Sequence, residues 1–391
     1  MSRDVKKRLA ALGLRVPELL LPRKDIDLSR YAVIACDQFS AEGEYWERVR
    51  ANVGDAPSTL HMILPEAWLQ NGEKHRKNIV PTMERYLQDG TLRSIGEGMV
   101  FLKRTTSSGI RRGLVVAFDL EQYDYHNGSE TLLRPTEATV EARLPARVDI
   151  RRNAPLELPH VLVLFNDPTD ALMDSLEKLT EKRPPLYDFE LMECGGHLSG
   201  WKMSEDSDYV NLSEQLERLR TEAVGGMLYA MGDGNHSFAA AKLHWEQVKA
   251  TLPPEAWEGH PARYALSELV NLYDKGLPFE PIHRLLMSVD AASVCQELEL
   301  DPACPPPLQE LQPRLDAWLA KHPEAELEYI HGAETCRRLG ENPGSLALVW
   351  DSFDREGLFP WVAAHGPLCR KSFSLGHAEE KRYYLEARRI M

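Results

Sequence analysis

The sequence predicts an α+β protein built on a mixed sheet. Three observations lead there. Strand-like apolar runs alternate irregularly with helical ones, two pairs of runs close as hairpins, and the chain contains neither a Walker loop nor a Gly-x-Gly-x-x-Gly turn of the standard nucleotide folds. A chain of 391 residues can bury a large core and has room for two or three domains.

In chain order, Val5 to Leu12 reads as a helix, followed by a proline-bounded connection and a strand over Tyr31-Ala32-Val33-Ile34-Ala35. A helix carrying Tyr45, Trp46 and Val49 comes next, then more helical sequence around Ile79 to Leu87. Met99 to Leu102 and Leu114 to Phe118 flank a turn-like Thr105-Thr106-Ser107-Ser108-Gly109, the mark of a hairpin. His160 to Phe165 reads as a buried strand, and Asp167-Pro168-Thr169-Asp170 as an aspartate cap with a proline just before a short helix. A second hairpin is expected from Leu191 to Met203 around Gly195-Gly196, and another buried strand over Met227 to Met231. Beyond the connection Pro305-Pro306-Pro307, helix and strand patterns alternate through Leu308 to Leu319, Leu346 to Trp350 and Glu379 to Ala387.

Composition narrows the function. The 46 basic and 60 acidic residues give 46 − 60 = −14, which opposes general attraction to nucleic acid. No apolar run approaches the roughly 18 residues that span a bilayer, so a cytoplasmic protein without membrane partners is expected. Six cysteines without a Cys-x-x-Cys pair fit reduced thiols better than a disulfide framework or a zinc knuckle.

The strongest chemical signal is Asp233-Gly234-Asn235-His236-Ser237, where a buried strand gives way to a helix beginning near Phe238. Phe238, Ala241, Trp245 and Val248 recur at helical spacing on one face. A glycine turn into a helix presents free N–H groups at the positive end of the dipole, where phosphate is stabilised. Asp233 and His236 add proton-handling or metal-handling groups. The plain alternative is a tight turn with Asp233 as the capping residue, which leaves His236 unexplained.

A second cluster is Arg134-Pro135-Thr136-Glu137-Ala138-Thr139, followed by Arg143, Arg147, Arg151 and Arg152. Glu137 suits a general base and the arginines suit bidentate phosphate binding. From spacing alone a solvated, mutually paired charge segment is the commoner reading. Arg370-Lys371-Ser372-Phe373-Ser374-Leu375-Gly376-His377 joins cations, hydroxyls and a histidine. His283-Arg284, after Phe279-Glu280-Pro281-Ile282, offers two anion-binding side chains that read first as structural.

These stretches, with Ala154-Pro155-Leu156-Glu157-Leu158-Pro159-His160, resemble the family labelled domain of unknown function 1015 over nearly the whole chain, and more distantly the archaeal ADP-dependent free serine kinases. The resemblance implies a ParB/sulfiredoxin-like catalytic core over 96–255, an N-terminal α/β segment over 1–95 and a C-terminal α/β segment over 256–391 that closes the site. It implies a small-molecule phosphotransferase interconverting serine and phosphoserine with ADP or ATP as partner and Mg²⁺ as cofactor. Glu137 falls where the kinases carry a catalytic glutamate in Pro-His-Glu, and Asp233, Gly234 and His236 match their Asp-Gly-His-His-Arg motif. Asp233 would orient His236 or bind the metal. Asn235 and Ser237 depart from that motif, and the loss of its arginine matters most, because a guanidinium fork grips phosphate as serine cannot. Arg134, Arg147, His283 or Arg284 would then supply the missing cation. Lys371 and Ser372 resemble a Lys-Thr/Ser motif, and His377 loosely matches a substrate-binding histidine. Three alternatives follow from the same relations: a phosphoserine phosphatase using water, a non-enzymatic ParB-like nucleotide or DNA binder, and a sulfiredoxin-like redox enzyme working through Cys36.

Overall fold

The computed structural model describes residues 1–69 and 71–391. Its main sheet is mixed, with nine strands. They are β1 (Leu14–Arg15), β2 (Met99–Thr106), β3 (Gly109–Asp119), β4 (Leu133–Arg134), β5 (Leu162–Phe165), β6 (Tyr187–Glu190), β7 (His197–Met203), β8 (Tyr229–Asp233) and β9 (Tyr264–Asn271). Their spatial order is β6-β7-β2-β3-β9-β5-β8-β4, with β1 also on β3. Pairing is antiparallel except between β9 and β5 and between β8 and β4.

The hairpin of β2 and β3 is the one the sequence expects, closed by Ser107-Ser108 between the paired Thr106 and Gly109. Because side chains alternate across a strand, Met99 and Phe101 enter one core while Val100 and Leu102 enter another. On the first face pack the helices α1 (Ala171–Thr180), α2 (Asp206–Glu222) and α3 (Asn235–Lys249), through Leu172, Leu216 and Trp245. On the second face lie Leu19 to Leu21, Tyr31 to Ile34, Trp46 and the C-terminal Tyr383 to Leu385, all in one apolar cluster. Towards the C-terminus, His283–Met287 is the centre of a separate three-stranded sheet with Glu326–Ile330 and Ser345–Leu348. It is backed by the helix Leu308–Leu319 over its own small core.

Several local expectations shift. The strand expected over 31–35 narrows to Val33–Ile34, because Leu28–Tyr31 forms one helical turn capped by Asp27. The second hairpin begins earlier, at Tyr187, with 191–196 as its turn. Asp167 caps α1, accepting from the Leu172 N–H at 3.0 Å, while Asp170 takes a left-handed φ of 58°. The segment from Glu379 to Ala387 holds one 3₁₀ turn and then extended chain, Tyr383–Tyr384 pairing with Val33–Ile34.

That tail runs through the interior, and buried arginines hold it. Arg104 donates to the carbonyls of Glu379, Glu380 and Lys381 at 2.6, 2.9 and 2.5 Å, and Arg111 donates to that of Glu380 at 2.8 Å. Arg382 meets Glu268 at 2.5 Å and Glu386 at 2.6 Å, with Arg111 Nε 3.5 Å from the other oxygen of Glu268. Buried charges are tolerated only when paired and hydrogen-bonded, so these contacts fix the tail's path. No helix among the described residues is long and apolar enough to cross a membrane.

Replacing Glu268 by alanine strips Arg382 and Arg111 of their shared carboxylate. The expected loss is about 3–5 kcal/mol in a denaturant transition, and a change under about 0.5 kcal/mol would contradict the structural role given to the cluster.

Candidate functional site

The parallel pairing of β8 with β4 builds the site. Tyr229 lies opposite Leu133 and Ala230 opposite Arg134, so the chains leaving the two strands run side by side in the same direction. The hydroxyl of Thr136 then donates to the carbonyl of Met231 at 2.7 Å, and Asn235 Nδ2 donates to the carbonyl of Glu137 at 3.3 Å. Residues 231 − 136 = 95 and 235 − 137 = 98 positions apart are thereby locked together. A third segment joins through the Leu368 N–H, which donates to Thr136 O at 2.7 Å, and the Ser372 N–H, which reaches Glu137 Oε1 at 3.2 Å.

Gly234 makes the entry into α3 possible. Its φ is +80°, and a Cβ there would stand 2.9 Å from Val161 Cγ2, so the turn needs glycine for conformation and for space. The helix begins at Asn235, and the N–H groups of Asn235 and His236 have no intrahelical carbonyl to reach. Asp233 does not cap the helix. One carboxylate oxygen accepts from the Gly234 N–H at 2.9 Å, and the other meets Lys381 Nζ at 3.3 Å.

Around these groups lies a cavity of about 520 Å³. Its walls carry six cationic residues, Arg76, Arg143, Arg147, Arg370, Lys371 and Lys381, against the carboxylates Asp37, Glu66, Glu137 and Asp233. In a chain of net charge −14 this local excess of positive charge marks an anion site. One buried polar atom inside it, Asn235 Oδ1, has no hydrogen bond among the described residues, whereas His236 Nε2 accepts the Val140 N–H at 3.2 Å.

Titration follows from the surroundings. Burial lifts the Glu137 carboxyl above the usual carboxylate range, against the pull of the Ser372 N–H and Lys371. Burial also works to raise Asp233, but Lys381 and His160 outweigh it and hold this carboxyl below its ordinary value. His236 is pushed down to about 4, first by burial and then by Arg147, Arg143, Arg370 and Lys371. The Cys36 thiol in the cavity wall is pushed up to about 12 by burial and by Asp37, the opposite of an activated thiolate.

Among the residues singled out in the sequence, Glu137, Asp233, Gly234, Asn235, His236, Ser237, Arg147 and Lys371 all line this cavity. Arg147 is also paired with Glu66 at 2.6 Å. Five others lie outside its walls. Arg134 spends its guanidinium on the carbonyls of Thr131 and Gly225 at 3.0 and 2.5 Å. His283 is buried, with Nδ1 taking the Trp350 N–H at 3.4 Å. Arg284 is fully buried and donates to the carbonyls of Ile282, Lys371 and Arg370 at 2.7, 2.9 and 3.0 Å. It anchors the loop that carries the cavity's cations and holds Lys371 at its φ of +57°. The Ser372 hydroxyl is buried and donates to Cys369 O at 2.7 Å, so only its N–H faces the site. His377 is exposed, 3.7 Å from Glu280.

Sequence reasoning left out Lys381, His160, Arg370 and Arg76 as site residues, and named Arg143 only within its run of arginines. Arg143, Arg370 and His160 stood inside stretches that were singled out, whereas Lys381 carried no local signal. As for metal, among the described residues no cluster of three or more His, Cys, Asp or Glu stands ready to bind an ion. Asp233 alone, already paired with Lys381, fits Mg²⁺ poorly.

A family model described as "Protein of unknown function (DUF1015)" matches residues 20–387. Two solved structures are similar at low identity. One is a conserved hypothetical protein from Pyrococcus furiosus, with 12% identity, 67% of this chain and 90% of that chain covered, and a TM-score of 0.34. The other is a free serine kinase mutant in complex with AMP, with 11% identity, 71% and 92% covered, and a TM-score of 0.39. No curated protein matches.

The depressed pKa of His236 makes a testable statement. An unfolded histidine binds its proton near pH 6.5, so this residue withdraws stability as pH falls from about 6.5 towards 4 and contributes fully above that window. A phosphate dianion in the cavity favours the imidazolium. The His236 ring resonances, titrated by NMR, are expected to move near pH 4 in the free protein and at higher pH with inorganic phosphate; identical curves would place the anion elsewhere.

Proposed function

The chain belongs to the family of proteins of unknown function designated DUF1015, and on that footing we propose that its cavity transfers a phosphoryl group between the hydroxyl of serine and a nucleoside diphosphate. The observation that carries this reading is the meeting of Glu137 with the start of α3 across one cationic cavity. Phosphoryl transfer asks a protein mainly for positioning and charge neutralisation, and both are available here.

The roles follow from placement. The free N–H groups of Asn235 and His236, at the positive end of α3, receive the phosphate. Lys371, Arg370 and Arg147 neutralise it from the facing walls. Glu137 handles the serine hydroxyl proton, taking it as phosphoserine forms and returning it as phosphoserine breaks down. A carboxyl raised by burial is suited to both directions, because it holds a proton more readily than an exposed glutamate does. Asp233 keeps Lys381 at the cavity wall. A nucleotide would bring its own Mg²⁺ on its phosphates, and no step is assigned to the metal. The ParB/sulfiredoxin-like identity of the sheet, and the division into a core over 96–255 flanked by segments that close the site, are part of the same proposal. The raised Cys36 thiol counts against the sulfiredoxin-like alternative. The net charge of −14 counts against a DNA-binding one.

Purified protein given phosphoserine and Mg²⁺ with ADP is expected to form ATP and serine. Release of free phosphate without ADP would replace the nucleotide by water as acceptor, and no product in either direction would overturn the serine reading. Glu137→Gln keeps the shape and the contact with the Ser372 N–H but cannot exchange the proton. It is expected to lower turnover on the order of 10²–10⁴-fold while retaining phosphoserine binding; unchanged turnover would remove Glu137 from the chemistry.

A further inference from the structure

Ser237, in the first turn of α3, makes no backbone cap. Its Oγ lies 3.0 Å from His160 Nε2, and Nδ1 of the same ring lies 3.1 Å from the hydroxyl of Tyr384. Tyr384 is buried and meets the imidazole edge to face, with centroids 5.4 Å apart, while its oxygen accepts the Cys36 N–H at 3.2 Å. The ring is therefore held from behind, and both Ser237 and His160 open onto the phosphate cavity. Asp233 lines the same cavity. A hydroxyl bonded to an imidazole that a third group orients is the arrangement of an activated nucleophile.

We propose that Ser237 accepts the phosphoryl group covalently before it passes on, with His160 as its base. This rests on the phosphotransferase reading above and deepens it. In the first half, the Ser237 hydroxyl gives its proton to His160 Nε2, a bond forms from Oγ to phosphorus, and the bond from phosphorus to the donor's alcohol oxygen breaks. The departing oxygen takes the proton held by Glu137. In the second half, an oxygen of the nucleoside diphosphate, or of water, bonds to phosphorus while the Oγ bond breaks, and His160 returns its proton to Oγ. Glu137 recovers its proton from the attacking water, or from solvent when the diphosphate is the acceptor. The assignment needs the tautomer in which Nδ1–H is donated to Tyr384 and the Nε2 lone pair faces Ser237. The energetics are favourable for this donor, because phosphoserine and a phosphoseryl enzyme are esters of the same class and their exchange is close to thermoneutral.

The test is to incubate the full chain with phosphoserine in the absence of nucleotide, quench in acid and locate phosphate by peptide mass spectrometry, with acetyl phosphate as a second donor. One phosphoryl group is expected on Ser237, discharged when ADP is added together with glucose and hexokinase, which remove ATP as it forms. Ser237→Ala should take up none and lose turnover on the order of 10²–10⁴-fold, and His160→Gln, checked for an unchanged thermal midpoint, should label far more slowly. Turnover by Ser237→Ala within a few-fold of wild type overturns the proposal and leaves direct transfer, with the function intact. So does an adduct on Ser237 that neither ADP nor water removes. If phosphoserine gives neither turnover nor adduct, the serine reading fails; acetyl phosphate labelling of Ser237 that depends on His160 would still support the nucleophile, and no label from either donor overturns it.

Discussion

The site depends on one hydrogen-bonding constraint, the parallel pairing of two short strands at the edge of the main sheet. Leu133–Arg134 lies alongside Tyr229–Asp233 in the same direction, and the Thr136 hydroxyl on the Met231 carbonyl extends that pairing past the end of the shorter strand. Had the pairing been antiparallel, the two exits would have pointed opposite ways and Glu137 would have left the turn at Gly234. Everything assigned to the cavity's chemistry presupposes this register: the carboxyl on one side, and the free N–H groups and His236 on the other.

The second constraint is the interior path of the C-terminal tail. This chain threads a charged segment through its core with its arginines hydrogen-bonded or ion-paired there, although Arg111 Nε and Glu268 Oε1, 3.5 Å apart, make no hydrogen bond among the described residues. Arg104 and Arg111 hold backbone carbonyls, Arg382 holds Glu268 and Glu386, and Arg388 holds Glu157. The functional yield is Lys381, which this path carries to the cavity wall beside Asp233. Arg284 does the same service for the loop of Arg370 and Lys371. Lys381, Arg370 and Lys371 are thus positioned by other, buried cations outside the cavity walls.

The sequence made the turn at Gly234 legible because its logic is local: a strand run, a glycine, and helical spacing from Phe238 onward. The β2–β3 hairpin was legible for the same reason. Glu137 stood out as a candidate base beside arginines, but charge spacing alone favoured a solvated segment, and the family resemblance tipped the balance. Where side-chain direction depends on distant packing, reading by residue type went astray. Arg134 looks like an anion binder in sequence, yet it donates to the carbonyls of Thr131 and Gly225, whereas Arg284, read first as structural, does hold its loop through carbonyls. The Ser372 hydroxyl is likewise turned away into its own loop. Conversely, nothing local distinguishes Lys381, whose place is set by contacts with Arg104, 381 − 104 = 277 residues earlier. His160 was read as the start of a buried strand, and only the fold brings it to Ser237.

The central claim is that Glu137 and the start of α3 address one ligand. A crystal structure of the chain soaked with phosphoserine tests it most directly. The predicted result is a phosphate on the N–H groups of Asn235 and His236, with the serine oxygen within hydrogen-bond reach of Glu137. Phosphoserine bound away from both, or a cavity that stays empty at saturating ligand, would contradict it.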